Sequence, residues 1–216
     1  QDNKNAHEFD IGAETGGMGS ISGPEMSLPF ITKDEYRESL DVVRGVVNAI
    51  QDMTGEEYMG IVAGQMMLTE VEGPTVIEMY SRLGDPEALN VLALLETDLV
   101  DICLAILERR LNQINLKFRK RATVVKAVAP RVYPEMKRLA ENHLVTADED
   151  EMRRRGARMY WASAHKREDG KIVTTGSRTV EILAEADDLP HASALVEECI
   201  PFVKLSDEWG LYHRSD

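Results

Sequence analysis

The sequence has 216 residues, of which 43% are hydrophobic and 29% charged, so it can bury a core of ordinary size. Its formal net charge of −13 argues against general binding to nucleic acid, which needs clustered basic residues. No apolar run approaches the roughly 20 residues that span a bilayer, and no signal segment opens the chain. Because the first residue is Gln1 rather than Met, we expect a piece of a longer protein.

The amino-terminal part predicts a loop followed by a helix. Residues 1–31 are rich in Gly, Ser and Pro and show little periodicity. Thr32 and Glu35 have the spacing of a capping box, in which each side chain accepts a hydrogen bond from the other residue's backbone. From Tyr36 onward apolar residues recur at steps of four and three, which predicts a helix with one buried face that ends at Gly55.

Two segments of strand composition come next, residues 59–68 and 74–80. The short connection between them predicts an antiparallel hairpin. Side chains alternate between the two faces of a strand, so Glu78 and Tyr80 share a face. The position of the turn places Gln65 roughly opposite Glu78, and we therefore expect two polar groups to meet in an otherwise apolar hairpin.

A carboxylate on a half-buried strand is costly unless it is paired or bound to a cation. Arg82, four residues after Glu78, is one candidate partner. A hard cation such as Mg²⁺ is the other, because it takes oxygen ligands and Gln65 can offer its amide oxygen to the same ion. Spacing alone leaves both interpretations open.

Asp85 and Pro86 predict the start of a second helix, which apolar periodicity extends to about Leu111. The rest of the chain predicts a strand at 122–129, a short helix at 133–143, an acidic loop at 146–151, a hairpin turning at 167–170, a strand at 178–186 and a helix at 189–200 capped by Asp187 or Asp188. This order predicts an α+β fold with two domains, residues 1–114 and 115–216.

Two short motifs are weak when each is taken alone. TGGMG at 15–19 is typical of a flexible turn, although it also suits a backbone that approaches an anionic group with exposed amide hydrogens. GDPE at 84–87 is typical of a helix start.

Together with their neighbours, these motifs resemble the phosphoribosylamine–glycine ligases, a family of the ATP-grasp superfamily. The matching segments are QDNK at 1–4, ETGGMGSISGPEMSLP at 14–29, VAGQMMLT at 62–69, VIEMYSRLGDPEALNVL at 76–92 and MYWASAHKREDGKIVTTGSRTVEI at 159–182. Their order and spacing match the carboxy-terminal half of such a ligase over essentially the whole chain. The sequences of the motifs most resemble those of archaeal members.

The resemblance implies the distal half of an ATP-grasp domain, with mainly antiparallel sheet and helices, followed by a small α+β carboxy-terminal domain. It implies a cytoplasmic ligase that joins glycine to 5-phosphoribosylamine through a glycyl phosphate. ATP is the co-substrate, and Mg²⁺ or Mn²⁺ the metal. It also implies that the missing partner is the amino-terminal half of the same enzyme. The substrates implied are small molecules, and no nucleic acid or membrane partner is expected.

The resemblance assigns site residues position by position. Glu78 matches the glutamate that bridges the metal ions, Gln65 an additional ligand, and Tyr80 stands where the family has a metal-binding asparagine. Arg82 matches the catalytic arginine that holds anionic groups, a task suited to its planar fork. The substrate-binding matches are Asp2, Lys4, Thr15, Gly16, Gly17, Met18, Gly19 and Asp85.

Two alternatives stay open, and the first of them rests on Tyr80, because a neutral phenol is a poor ligand for Mg²⁺ and is bulkier than an amide. One alternative is a non-catalytic or partner-dependent ATP-grasp fragment with an altered metal site. The other is a different ATP-grasp ligase that joins a carboxylate to another amine.

Overall fold

The computed structural model describes all 216 residues, Gln1–Asp216. No helix in it is long and apolar enough to cross a membrane. The strands are β1 Asn5–His7, β2 Ile11–Glu14, β3 Gly19–Ser22, β4 Ala63–Thr69, β5 Gly73–Tyr80, β6 Ala122–Pro130, β7 Glu141–Ala147, β8 Ala157–Trp161, β9 Ala164–Lys166, β10 Ile172–Thr175, β11 Val180–Ala186, β12 Val203–Leu205 and β13 Leu211–Tyr212. The α-helices are α1 Lys33–Thr54, α2 Glu87–Leu94, α3 Leu99–Leu107, α4 Glu149–Arg154 and α5 Leu189–Cys199.

The chain forms two compact units that interleave along the sequence. The larger unit contains Gln1–Met26, Asp85–Leu94 and Lys120–Asp216, and the smaller unit contains Ser27–Gly84 and Leu95–Arg119. Each unit mixes helices with antiparallel strands, which confirms the α+β fold class. The units are discontinuous in sequence, so neither corresponds to residues 1–114 or 115–216, and that domain division stays a prediction.

The larger unit holds the main hydrophobic core. One sheet has the order β13-β6-β11-β8, with β3 also paired to β6, and a second has the order β12-β7-β10-β9. Every residue of β6 is buried, which agrees with its nearly continuous apolar sequence. α5 packs on β6 and β11, and the fully buried Val128 of β6, Ile182 of β11 and Val196 of α5 belong to the core that these three elements share.

Three sequence predictions in the larger unit are wrong. Residues 1–31 are not only loop, since β1 and β2 pair with each other and β3 pairs with β6. The helix predicted at 133–143 is a single 3₁₀ turn followed by β7, which pairs with β10. The acidic loop contains α4, where the carboxylate of Asp148 accepts a hydrogen bond from the Glu151 amide. Acidic residues in a first helical turn are favoured by the helix dipole.

The smaller unit is built from α1, α3 and the β4–β5 hairpin. α1 has the predicted capping box at Thr32 and Glu35, and it ends at Gly55 in a left-handed conformation. The helix packs on both hairpin strands, and Gly64 permits close approach, since a Cβ there would lie 2.9 Å from Val43 Cγ2. The predicted buried face is only partly covered, because Tyr36 is 54% exposed and α1 contains no fully buried residue.

The single helix predicted from Asp85 to Leu111 is wrong. The segment forms two helices, α2 and α3, which residues 95–98 separate. In this break the Glu96 amide donates a hydrogen bond to the Lys117 carbonyl oxygen at 2.9 Å. Asp98 then caps α3 by accepting from the Val100 amide. Apolar periodicity continued across the break, so the sequence pattern could not show a pairing with residues about twenty positions later.

Candidate functional site

The hairpin of the smaller unit brings three polar side chains together. Gln65 and Glu78 are direct register partners across β4 and β5, as the sequence analysis predicted. The hydroxyl of Tyr80, two residues after Glu78, lies 2.6 Å from Gln65 Oε1 and also donates a hydrogen bond to Glu78 Oε1. One phenol therefore contacts both predicted metal-binding oxygens.

β5 is partly buried, as expected, but the side chain of Glu78 itself is exposed. The pairing of Gln65 with Glu78 is followed by a register shift in the hairpin, since the next residue of β4 pairs with Val76. The cost of burying a carboxylate therefore cannot explain Glu78. What remains specific is its position beside two other oxygen-bearing side chains.

Arg82 lies next to this cluster within the same unit. Its guanidinium carbon is 4.8 Å from the centroid of the Tyr80 ring, which is the geometry of a cation–π contact. Its Nη1 donates to the Leu83 carbonyl oxygen at 2.8 Å. Arg82 is exposed, so its guanidinium keeps a side open to an anionic ligand.

The oxygens of Gln65 and Glu78 fit a hard cation in chemical type and in placement. Carboxylate and amide oxygens are the ligands that Mg²⁺ takes in proteins. Both touch the same hydroxyl, so one small ion could reach both. The neutral phenol of Tyr80 stands at that shared point, and the predicted role of Tyr80 as a ligand stays a prediction.

The larger unit carries a second polar group, centred on the Thr15–Gly19 loop. The Thr15 hydroxyl donates to the Lys4 carbonyl oxygen at 2.7 Å and accepts from the Gly17 amide at 3.0 Å. Gly17 has φ +111°, and a Cβ there would lie 2.7 Å from Asp2 Oδ1. Only glycine suits this position, because it tolerates the conformation and leaves room for the carboxylate.

Met18 and Gly19 hold this loop on the larger unit. The Met18 side chain is 1% exposed and packs with Ala129 and Tyr133, and its amide donates to the Asn3 carbonyl oxygen at 2.7 Å. Gly19 opens β3 and pairs with Lys126 of β6. The segment is therefore a fixed loop that leads into the sheet, and the flexible turn that TGGMG suggested when taken alone is wrong.

Arg178, which the sequence analysis did not single out, contacts this polar group. Its Nη1 lies 3.0 Å from the Gly17 carbonyl oxygen, 3.1 Å from Asp85 Oδ1 and 3.3 Å from Glu181 Oε1. The side chain is only 13% exposed. A signal was present, since Arg178 follows the glycine-containing turn of TTGSRTVEI and precedes a buried strand. Its partner Gly17, however, is 161 residues away in the chain.

Asp85 does not act as the helix cap that the sequence suggested. α2 starts at Glu87. The carboxylate of Asp85 instead accepts hydrogen bonds from both terminal nitrogens of Arg178, at 3.1 and 3.4 Å. The helix itself is anchored by buried Asn90, whose amide nitrogen donates to Thr123 Oγ1 at 3.0 Å. Asp85 is 59% exposed and can therefore meet a ligand while Arg178 holds it.

Two carboxyl groups near this loop have strongly perturbed acidity. Burial, reinforced by Glu87, raises the pKa of Asp2 to about 6. The ion pair with Lys4 Nζ, 3.4 Å from Asp2 Oδ2, lowers this pKa and opposes the effect of burial. Burial and the charge of Asp85 raise the pKa of Glu181 to about 7. Such groups can receive a proton or a hydrogen-bond donor from a polar ligand near neutral pH.

A family model described as "Phosphoribosylglycinamide synthetase, ATP-grasp (A) domain" matches residues 1–88 of the chain. This segment includes the hairpin cluster and the Thr15–Gly19 loop.

Named relatives match the chain from end to end. A phosphoribosylamine–glycine ligase of Methanocaldococcus jannaschii is 39% identical over 216 residues, which are 100% of this chain and 47% of the relative. The ligase of the same name from Methanopyrus kandleri is 42% identical, again over 100% of this chain and 47% of its own length. The chain is homologous to part of the phosphoribosylamine–glycine ligases. It spans about half the length of the relatives it matches.

Solved structures show the same fold. A phosphoribosylamine–glycine ligase from Thermotoga maritima aligns with 100% of this chain and 50% of its own, with a TM-score of 0.76 and 22% identity. The biotin carboxylase domain of a thermophilic 2-oxoglutarate carboxylase aligns with 91% of this chain and 41% of its own, with a TM-score of 0.59 and 13% identity. The chain therefore shares its fold with these two structures.

Proposed function

We propose that the protein to which this chain belongs joins glycine to 5-phosphoribosylamine and forms glycinamide ribonucleotide, with cleavage of ATP to ADP and phosphate. The observation that carries the proposal is the 39% identity to a ligase of that name over all 216 residues. The glycine carboxylate attacks the γ-phosphate of ATP to give glycyl phosphate, and the amine of phosphoribosylamine displaces the phosphate. The enzyme is cytoplasmic, and the rest of its length supplies the other half of the site.

In the smaller unit, Glu78 and Gln65 would hold a divalent cation, Mg²⁺ or Mn²⁺, which neutralises phosphate charge when bound. Arg82 is the catalytic residue, because its exposed guanidinium can hold a phosphate or carboxylate at the reacting centre. Its contact with the Tyr80 ring restricts the guanidinium to this side of the hairpin.

In the larger unit, Asp2, Lys4, Asp85 and the Thr15–Gly19 loop bind the substrate. Asp2 is a buried carboxylate whose ion-pair partner Lys4 Nζ lies 3.4 Å away, so an amine or hydroxyl group of the substrate suits it as a closer hydrogen-bond donor. Arg178 positions the loop and Asp85 by binding both.

The test is ADP release by the full-length protein, measured with and without glycine and phosphoribosylamine. We expect release to require both substrates. We expect Arg82→Lys to lower kcat by about 100-fold, in the range found when one charge-stabilising donor is removed. Arg119→Lys is the matched control, because it changes an arginine of the smaller unit outside the cluster. A folded protein with no substrate-dependent release would contradict the proposal.

Tyr80 favours a second candidate function, that of a non-catalytic ATP-grasp module whose metal site is altered. Its hydroxyl contacts the side-chain oxygens of both Gln65 and Glu78, which are the predicted metal ligands. Under this candidate the full-length protein binds ATP but releases no ADP, and Tyr80→Asn restores release that depends on Mg²⁺. A third candidate, a ligase for another amine, predicts release with glycine and an acceptor other than phosphoribosylamine.

A further inference from the structure

We propose that Tyr80 competes with the divalent cation for Gln65 and Glu78, so that a cation binds there only when the phenol moves away. This inference rests on the proposed role of Glu78 and Gln65 as ligands. It assigns Tyr80 a function opposite to that of a ligand, and it makes cation binding in this protein conditional on a side-chain movement.

The first argument is the position of the hydroxyl. It lies 2.6 Å from Gln65 Oε1 and donates a hydrogen bond to Glu78 Oε1. A cation shared by these two oxygens needs about 2.0–2.1 Å to each, so it would occupy the same space as the phenol oxygen. The two cannot be there together.

The second argument concerns the hydrogen bonds. A neutral phenol carries one proton, which it donates to one acceptor at a time. A hydrogen bond from a hydroxyl to an ionised carboxylate is among the stronger kinds in proteins. The lone pairs that Glu78 directs at the phenol are those it would direct at a shared cation, so binding has to break this bond first.

The third argument is that the ring is held in place. The Arg82 guanidinium lies 4.8 Å from its centroid, and the residue is only partly exposed at the end of β5. Ala63 is the direct register partner of Tyr80 on β4. The hairpin and Arg82 therefore hold the phenol beside Gln65 and Glu78. Moving it away costs free energy, which weakens the apparent affinity for the cation.

The experiment is a Mn²⁺ titration of the full-length protein, followed by the electron paramagnetic resonance signal of free Mn²⁺ and by calorimetry. Tyr80→Phe keeps the ring but removes the competing hydroxyl, and we expect it to bind Mn²⁺ about tenfold more tightly than the unmodified protein. Tyr80→Asn, which replaces the phenol by an amide oxygen, should bind at least as tightly. Tyr58→Phe is the matched control, because it removes a phenol that donates to the Ile61 carbonyl oxygen elsewhere in the same unit.

Weaker or unchanged Mn²⁺ binding in both Tyr80 variants, with the fold intact by circular dichroism, would overturn the proposal. Glu78→Gln locates the site, since it should abolish the gain produced by Tyr80→Phe. If Glu78→Gln leaves Mn²⁺ binding unchanged, both the competition and the metal role of Glu78 in the proposed function fail. If Glu78→Gln abolishes binding while Tyr80→Phe weakens it, only the competition fails and Tyr80 is a ligand.

Discussion

At the scale of single residues, burial and neighbouring charges set the pKa values of two carboxyl groups in the larger unit. Asp2 and Glu181 have side chains that are each 7% exposed, and both have raised pKa values. Arg178 binds Glu181 and Asp85 together, so it offsets part of their repulsion. Arg178 therefore holds Asp85 and Glu181 close together. Because the pKa of Glu181 is raised, the free energy of unfolding should depend on pH.

We expect Glu181→Gln to flatten the pH dependence of stability. The pKa of Glu181 is about 7 in the fold, against 4.5 ordinarily, so the folded state binds more protons between these values. The free energy of unfolding of the unmodified protein should therefore fall as pH rises from about 4.5 to about 7, by up to about 1.4 kcal/mol per pKa unit. Urea unfolding at several pH values measures it.

Glu168→Gln is the control for this measurement, because Glu168 is an exposed carboxylate in the turn between β9 and β10. It should leave the pH profile of the unmodified protein in place. Equal slopes for Glu181→Gln and the unmodified protein between pH 4.5 and 7 would show that burial of Glu181 does not set the profile.

At the scale of elements, the accuracy of the sequence analysis depended on the distance between interacting residues. The capping box of α1 and the pairing of Gln65 with Glu78 were predicted, because both are set within a helical turn or a short hairpin. β3 and β7 were missed, since their partners β6 and β10 are far away in the chain. Isolated segments of this kind carry weak local signals.

We expect Thr32→Ala to destabilise α1 by about 1 kcal/mol, the usual cost of losing an N-cap. The Thr32 hydroxyl accepts from the Glu35 amide at 3.2 Å, and the Glu35 carboxylate accepts from the Thr32 amide at 2.7 Å. Hydrogen exchange of the α1 amides measures the effect. Ser39→Ala, which removes a hydroxyl bound to a carbonyl within the same helix, should change exchange much less. Equal effects of the two variants would argue against the cap.

At the scale of the whole molecule, the two units differ in how much core they contain. The larger unit buries the clustered core residues of β6, β11 and α5, whereas α1 of the smaller unit has no buried residue. Elements with deep apolar burial open least often, because opening them exposes the most apolar surface.

We therefore expect the amides of β6 and β11 to exchange more slowly than those of β4 and β5 in the same protein. Both pairs are antiparallel and hydrogen-bonded, so the comparison isolates the effect of the core. Hydrogen exchange read by mass spectrometry distinguishes the pairs. Equal or greater protection of β4 and β5 would contradict the difference between the units.

The sequence by itself determined the α+β class, the hairpin register that brings Gln65 to Glu78, and the likeness to a ligase family through motifs in fixed order. These depend on local periodicity and on residue identity. Only the tertiary structure showed that Glu78 is exposed, that Tyr80 contacts both oxygens, and that Arg178 reaches the Gly17 carbonyl oxygen from 161 residues away. Burial and long-range contacts depend on which surfaces meet after folding, and no local pattern contains that information.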